Sequence, residues 1–447
     1  MKHKLIFILC VFMTFSGFSQ EQEVMQFSLQ EAIDYALINN RKAKNASRDI
    51  EAAKKQKWET TATGLPQIDI AVDYQNWIKQ QVSLLPAELT GGPAGTFVPV
   101  EFSPKQNIGA MATMRQLLFD GSYLVGLQAA KVYLEISENA KVKTDLEVRK
   151  AVINAYGNVL LAEESLVILA SNRQLLESNL NEIQKTYESG LEEEESVEQM
   201  KITLSSLISD QNNVKRLKDL AYKMLNITLG LDYETNTVLT DKLEILSSEY
   251  TSLAALEADD SVENTIDYLI AENEVASKEL LVKLEQSKGV PTLSAFVNGG
   301  YSGFGQKFEF FTINQDWYGS SMFGVSLNIP VFSSLGRTAA TQRTKIELEQ
   351  ANENLTQIEE ELKLQIATAK SEYQFAIEDF ENKKQNLDLA ERIEKKNETK
   401  FFEGISSSFD LRQAQTQLYS AQQEYLQAML DIINKKAELD AVLSTIN

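Results

Sequence analysis

Histidine and cysteine each occur once in the 447 residues, as His3 and Cys10, and both fall within the first twenty. With that segment set aside, the chain offers neither an imidazole nor a thiol. Disulfides, Ser-His or Cys-His nucleophilic pairs and zinc sites built from Cys or His are excluded together. Carboxylates are abundant, 64 Asp and Glu against 43 Lys and Arg. They lie on solvated helical faces, with no Gly-rich nucleophile turn and no clustered ligand set. No catalytic residue, cofactor site or metal site is therefore assigned. The chemistry left is capping and electrostatics. Asp410 follows Ser406, Ser407 and Ser408 just after Gly404, where a carboxylate suits a helix start. Glu192 to Glu195 follow Gly190, and Asp69, Asp73 and Arg115 fall in stretches of alternating polarity.

Long helices must position the two Gly-centred segments. Between Gly336 and Gly404 no Pro or Gly intervenes, so roughly 65 residues rich in Glu, Gln, Lys, Leu, Ala and Ile predict a helix about 100 Å long. Gly404 breaks it, and a second helix runs back to about Leu443. Its seam is Leu411, Ala414, Leu418, Ala421, Tyr425, Ala428, Ile432, Leu439 and Leu443, stepping by three and four as in a coiled coil, with Lys436 as the departure. The same object occurs earlier. Phe119-Asp120-Gly121-Ser122 opens a helical run to Gly190, and a return helix is predicted from Ser196 to about Leu229. Phe119 to Gly190 spans 71 positions and Phe332 to Gly404 spans 72, which marks a tandem duplication.

The duplication extends upstream of the hairpins. Ser28, with Glu31 three residues on, forms a capping box for a helix predicted to continue to about Thr63, before Gly64 and Pro66. Ser261, Ile266, Asp267 and Tyr268 repeat the spacing of Ser28, Ile33, Asp34 and Tyr35, and Pro291 ends that second helix. After each Pro the period changes from 3.6 to 2. Ile68, Ile70, Val72 and Tyr74 alternate with Asp69, Ala71, Asp73 and Gln75, and Leu293, Ala295 and Val297 with Thr292, Ser294 and Asn298. Partner strands are expected at about 107–118 and 322–331. The lengths suit a tilted membrane strand of about 9–11 residues.

These readings divide the chain into a signal peptide (1–20), a first repeat (21–230), a linker without clear period (231–260) and a second repeat (261–447). Lys2 and Lys4, the apolar run Leu5 to Phe15, and Ser16, Gly17 and Ser19 supply the parts of a secretory signal cut after Ser19 or Gln20; a retained anchor helix is the alternative. The formal charge of −21 argues against nucleic acid as a partner. No later stretch is expected to form a lipid-spanning helix. Four amphipathic strands cannot face lipid with open edges, and the smallest common closed barrels need about eight. Copies must therefore pool their strands: two give 8, three give 12, four give 16.

Taken together the chain resembles the TolC-like outer membrane efflux proteins, over essentially all of it past the signal. The resemblance rests on the duplicated Ser/Ile/Asp/Tyr helix start, Leu118-Phe119-Asp120-Gly121-Ser122, Ile329-Pro330-Val331-Phe332, and Glu403-Gly404-Ile405-Ser406-Ser407-Ser408-Phe409-Asp410-Leu411, in this order. It implies a mainly α chain with a membrane β-barrel portion: duplicated long antiparallel helical hairpins forming an α-barrel, plus four transmembrane strands. It further implies a homotrimer in the outer membrane of a Gram-negative cell, reaching into the periplasm to a periplasmic adaptor and an inner-membrane pump or exporter. Relatives place gate aspartates six and nine residues past the second tip glycine. Asp410 matches the first, Gln413 departs from the second, and Ser196 and Gln199 stand at the equivalents in the first repeat. Three converging carboxylates would repel one another and attract cations; the other reading is that Asp410 caps its helix, and both can hold. Gly190 and Leu191, with Gly404, Ile405 and Ser406, resemble the adaptor-facing tips. Asp69, Asp73 and Arg115 line the lumen if the polar face turns inward, with an outer-face or loop placement as the alternative. The competing function is a periplasmic coiled-coil adaptor or scaffold without a pore, and recovery as a soluble periplasmic protein would favour it.

Overall fold

The computed structural model describes residues 24–257 and 261–444. The expected signal segment, 1–20, lies outside them. The first repeat runs β1 (Met25–Phe27), α1 (Leu29–Asn39), α2 (Arg41–Thr63), β2 (Gln67–Asn76), β3 (Ser83–Pro86), β4 (Phe97–Val100), β5 (Gln106–Phe119), α3 (Gly121–Glu188) and α4 (Glu194–Leu229). Then come β6 (Thr237–Leu239) and α5 (Leu243–Glu249). The second repeat runs α6 (Ile266–Ser287), β7 (Thr292–Gly305), β8 (Trp317–Asn328), α7 (Gly336–Phe402) and α8 (Ser408–Val442). The two long helices hold 68 and 67 residues.

Several boundaries differ from the expectations, each for a local reason. The helix begun by the Ser28 capping box stops at Asn40, whose ψ of 138° is not helical. Asn40 Oδ1 accepts from Lys42 N at 2.7 Å and its Nδ2 donates to Thr228 O at 2.7 Å, so this side chain starts α2 and ties it to the end of α4. Ser261 does not cap the second-repeat helix. It precedes a single 3-10 turn, Val262–Asn264, and α6 starts only at Ile266. Three residues past Ser261 stands Asn264 where Ser28 has Glu31, so the reciprocal bond of a capping box is missing. β8 ends at Asn328, ahead of Pro330, which has no N–H to offer a ladder. The first return helix begins at Glu194, two residues before Ser196.

The structure divides into two compact units, one of them residues 51–136 and 273–354, the other the remaining described residues. The first holds an antiparallel sheet ordered β2-β5-β7-β8 and a small β3-β4 hairpin inside the first strand loop. Among the described residues β2 and β8 each have one partner strand. In the other unit the described part of the linker, 231–257, holds β6, which pairs in parallel with β1 and joins Met25–Phe27 to Thr237–Leu239. Two tyrosines of the long helices pin this region. Tyr156 of α3, fully buried, donates to Phe27 O at 3.0 Å or Asp241 Oδ2 at 2.9 Å. Tyr373 of α7 reaches Tyr250 O at 2.6 Å and Ser252 O at 3.0 Å. Around them Ile33, Val152, Leu225, Leu229, Leu243, Phe380, Ile432 and Leu439 form the main core. One 18-residue window of α3 is apolar enough to cross a membrane, against expectation, and half of it is buried within the fold, as suits a core helix.

Candidate functional site

Two sets of residues carry the functional reading: the faces of the four-stranded sheet and the two helical tips. Strand register sorts the first. Ile68, Met114, Val297 and Phe323 lie opposite one another in a row across the sheet, and Val72, Ala110, Tyr301 and Gly319 in another. Gln116, Ala295 and Val325 continue that face, which is apolar apart from Gln116 and Ser321. Ile68, Ile70 and Val72 are 70%, 73% and 66% exposed in the single chain, an apolar surface that water does not favour. The opposite face carries Asp69, Thr113 and Asn298 in one row and Asp73, Gly109 and Ser302 in another. Arg115 shares it, and its Nη1 donates to Asp69 Oδ2 at 2.9 Å. The structure thus brings Asp69, Asp73 and Arg115 onto one polar face. Tyr74 at the end of β2 contacts Phe308 and Phe310 edge-on, with ring centroids 5.3 and 6.1 Å away.

Each tip is a helix end closed by a left-handed glycine, Gly190 at φ +75° and Gly404 at φ +73°. Gly190 N donates to Tyr187 O and Leu191 N to Thr186 O, at 2.8 and 3.1 Å; Gly404 N and Ile405 N donate to Phe401 O and Lys400 O at 2.9 and 2.8 Å. This paired pattern is the Schellman motif, in which the residue after the glycine commonly packs back on the helix. Here Leu191 is 80% and Ile405 71% exposed, so neither does. Tyr187 and Phe401 instead pack against the cluster of Leu176, Ile183, Val197 and Met200 beneath the tips.

Past the tips the two repeats diverge. Ser407 caps α8: its hydroxyl accepts from Asp410 N at 3.2 Å, and Asp410 Oδ2 accepts from Ser407 N at 3.1 Å. Oδ2 also accepts from the hydroxyls of Ser407 and Ser406 at 2.8 and 3.1 Å. These bonds, those of Ser407 foremost, hold the exposed Asp410 carboxyl below its usual range. Glu193 stands at the matching position before α4 and makes no side-chain cap. Ser196 is half-buried and its hydroxyl lies 2.8 Å from that of Ser408, tying the two tips together. Gln199 donates to Glu195 at 2.7 Å, and Gln413 is exposed one turn past Asp410. The structure therefore joins Ser196 to the second tip and keeps Asp410 in its own cap.

Two features escaped sequence reasoning. Arg392, Lys395, Lys396 and Lys400 line one groove of about 430 Å³ on α7, a basic stripe whose three-and-four spacing was legible but hidden in a generally charged helix. The serine contact between tips had no signal, because it joins residues 212 positions apart. Among the described residues no group of three or more His, Cys, Asp or Glu is placed to hold a metal ion.

Residues 259–445 match the family model of the outer membrane efflux protein. No curated protein matches the sequence. Among solved structures, CusC, described as forming a transmembrane channel, aligns at a TM-score of 0.74 and 17% identity, covering 95% of each chain. The outer membrane protein VceC of Vibrio cholerae aligns at 0.70 and 15% identity, over 93% of this chain and 96% of its own. A membrane protein of Pseudomonas aeruginosa gives 0.75 and 16%, over 96% and 95%. At these identities the likeness establishes the fold. Residues 259–445 thus carry an outer membrane efflux protein domain, and the chain as a whole shares the fold of these outer membrane channels.

Proposed function

We propose that this chain is one subunit of a homotrimeric channel-tunnel in the outer membrane of a Gram-negative cell. It is a passive export duct of a tripartite efflux or type I secretion system. It performs no catalysis; the inner-membrane pump supplies the driving force and a periplasmic adaptor holds the two together. The observation that carries this reading is the four-stranded sheet, mostly apolar on one face, with Asp69, Asp73 and Arg115 on the other and, among the described residues, no second partner strand for β2 or β8. Backbone groups left open at an edge are too costly to expose to lipid. Three copies would close twelve strands around a lumen faced by Asp69, Asp73 and Arg115.

The tips are read as the closed end. Asp410 and Gln413, with Ser196 and Gln199, would ring the axis. Leu191 and Ile405, beside Gly190, Gly404 and Ser406, offer exposed apolar contacts for the adaptor. Reconstitution in planar bilayers tests the duct: discrete cation-preferring conductance is expected. A water-soluble monomer without conductance would overturn it. Asp410→Ala should enlarge or destabilise the closed state; unchanged conductance and cation preference would remove Asp410 from the gate.

A further inference from the structure

Beneath the second tip the helical packing contains a polar layer where the surrounding layers are apolar. Asn172 of α3 donates to Gln422 of α8 at 2.8 Å. One heptad toward the tips, in the same antiparallel register, stand Asn179 of α3 and Gln415 of α8, 3% and 1% exposed. Glu394 of α7 is 6% exposed at this level. Unlike the Asn172 layer, this one is not satisfied. Asn179 Nδ2, both terminal atoms of Gln415, Glu394 Oε1 and the Tyr419 hydroxyl make no well-formed hydrogen bond in the protein, although Gln415 lies near enough to Glu394 to act on its carboxyl. Buried polar atoms are nearly always paired, so five together call for an explanation.

The groups facing Glu394 are few. From α8 come the Gln415 amide and the Tyr419 phenol; from its own helix, Glu398 and Lys395, which pair with each other at 2.7 Å. Burial and Glu398 push the Glu394 carboxyl up, while Gln415 and Lys395 pull the other way and do not prevail. Burial and the nearby Glu394 likewise push the Tyr419 phenol up to about 12, so it remains a neutral donor at working pH.

We propose that Glu394, Gln415, Tyr419 and Asn179 form a proton-operated latch: protonation of Glu394 lets the layer close, and ionisation loosens the last turns of the second hairpin. A neutral carboxyl can donate as well as accept, matching the amide and phenol around it. An ionised one is a buried charge whose neighbouring cation, Lys395, is already paired with Glu398. The packed state binds the proton more tightly than the loosened state, so packing weakens as pH rises above about 4.5, the ordinary value, and levels off above the raised one. The latch is a property of one chain. Its effect on export rests on the duct reading, in which acidification would favour the closed end.

Hydrogen exchange of residues 388–420 in the detergent-purified protein tests this. Wild type and Glu394→Gln are compared at the same pH, so that intrinsic exchange rates cancel. The ratio of wild-type to variant exchange should be near one at pH 4.5 and rise by at most tenfold per pH unit, as one proton dictates, to a plateau. A ratio that stays flat from pH 4.5 to 8 would overturn the latch and leave the layer a fixed register pin. Glu394→Leu supplies a second uncharged reference should Glu394→Gln assemble poorly, and the same flat result with it would be equally decisive. A rising ratio without bilayer conductance would sink the duct and keep the latch; conductance with a flat ratio would do the reverse.

Discussion

At the scale of single residues, the two tips share a glycine and differ in how the next helix begins. Ser407 and Asp410 satisfy backbone donors reciprocally, whereas Glu193 caps nothing. Ser407→Ala should therefore cost about 1 kcal/mol of local stability, seen as faster hydrogen exchange in the first turn of α8. The substitution Ser196→Ala removes only the link to Ser408 and should leave the starts of α4 and α8 unchanged. The Asp410 carboxyl is more acidic when folded, so the folded state releases its proton sooner than the unfolded one. Its contribution is complete above the ordinary value of 3.8 and is lost as pH falls through the lowered one. Between pH 5 and 8 the cap should be insensitive to acid. The loss at lower pH should vanish in Asp410→Asn, measured by exchange at Leu411 and Arg412.

At the scale of elements, what could be read from the sequence was whatever repeats with a period. The 68- and 67-residue helices and the alternation of Ile68 to Gln75 persist long enough for their faces to be unambiguous. The strands β1 and β6, three residues each, are too short to show a period, and their parallel pairing joins residues more than 200 positions apart. The break at Asn40 was illegible for a similar reason. It depends on Gly230, whose missing side chain lets the end of α4 approach α1: a Cβ there would lie 2.3 Å from Asn39 O. The residues proposed for the tips were legible as types, but the tie between Ser196 and Ser408 exists only once both hairpins are folded. Gly230 is also left-handed, at φ +87°. Gly230→Ala should cost about 1–3 kcal/mol from backbone strain, with the clash added. Gly404→Ala meets open space and should incur the strain alone. Thermal unfolding of the two variants in detergent checks the difference.

At the scale of the whole molecule, the sheet makes the single chain unfit for either solvent. Its apolar face is exposed to water, and its edges cannot be exposed to lipid. Ile70→Arg should destabilise the membrane-inserted form by about 2–4 kcal/mol if it sits near the bilayer midplane. Asp73→Asn, on the opposite face, should assemble normally and show a weaker cation preference. Folding into vesicles followed by single-channel recording separates the two outcomes. Normal insertion of Ile70→Arg would mean that this face does not meet lipid.

The unpaired strands also set the logic of growth. β2 and β8 are different sequences at opposite ends of the same sheet, so in the proposed trimer copies would join head to tail, and a ring would close only when the last free end met the first. A copy whose β8 is disabled can still donate β2 to a neighbour but cannot accept another. Such a copy is a chain terminator. Co-produced in equal amount, it should poison most mixed rings of three and lower export far more than by half, a dominance that a simple loss of dosage would not give.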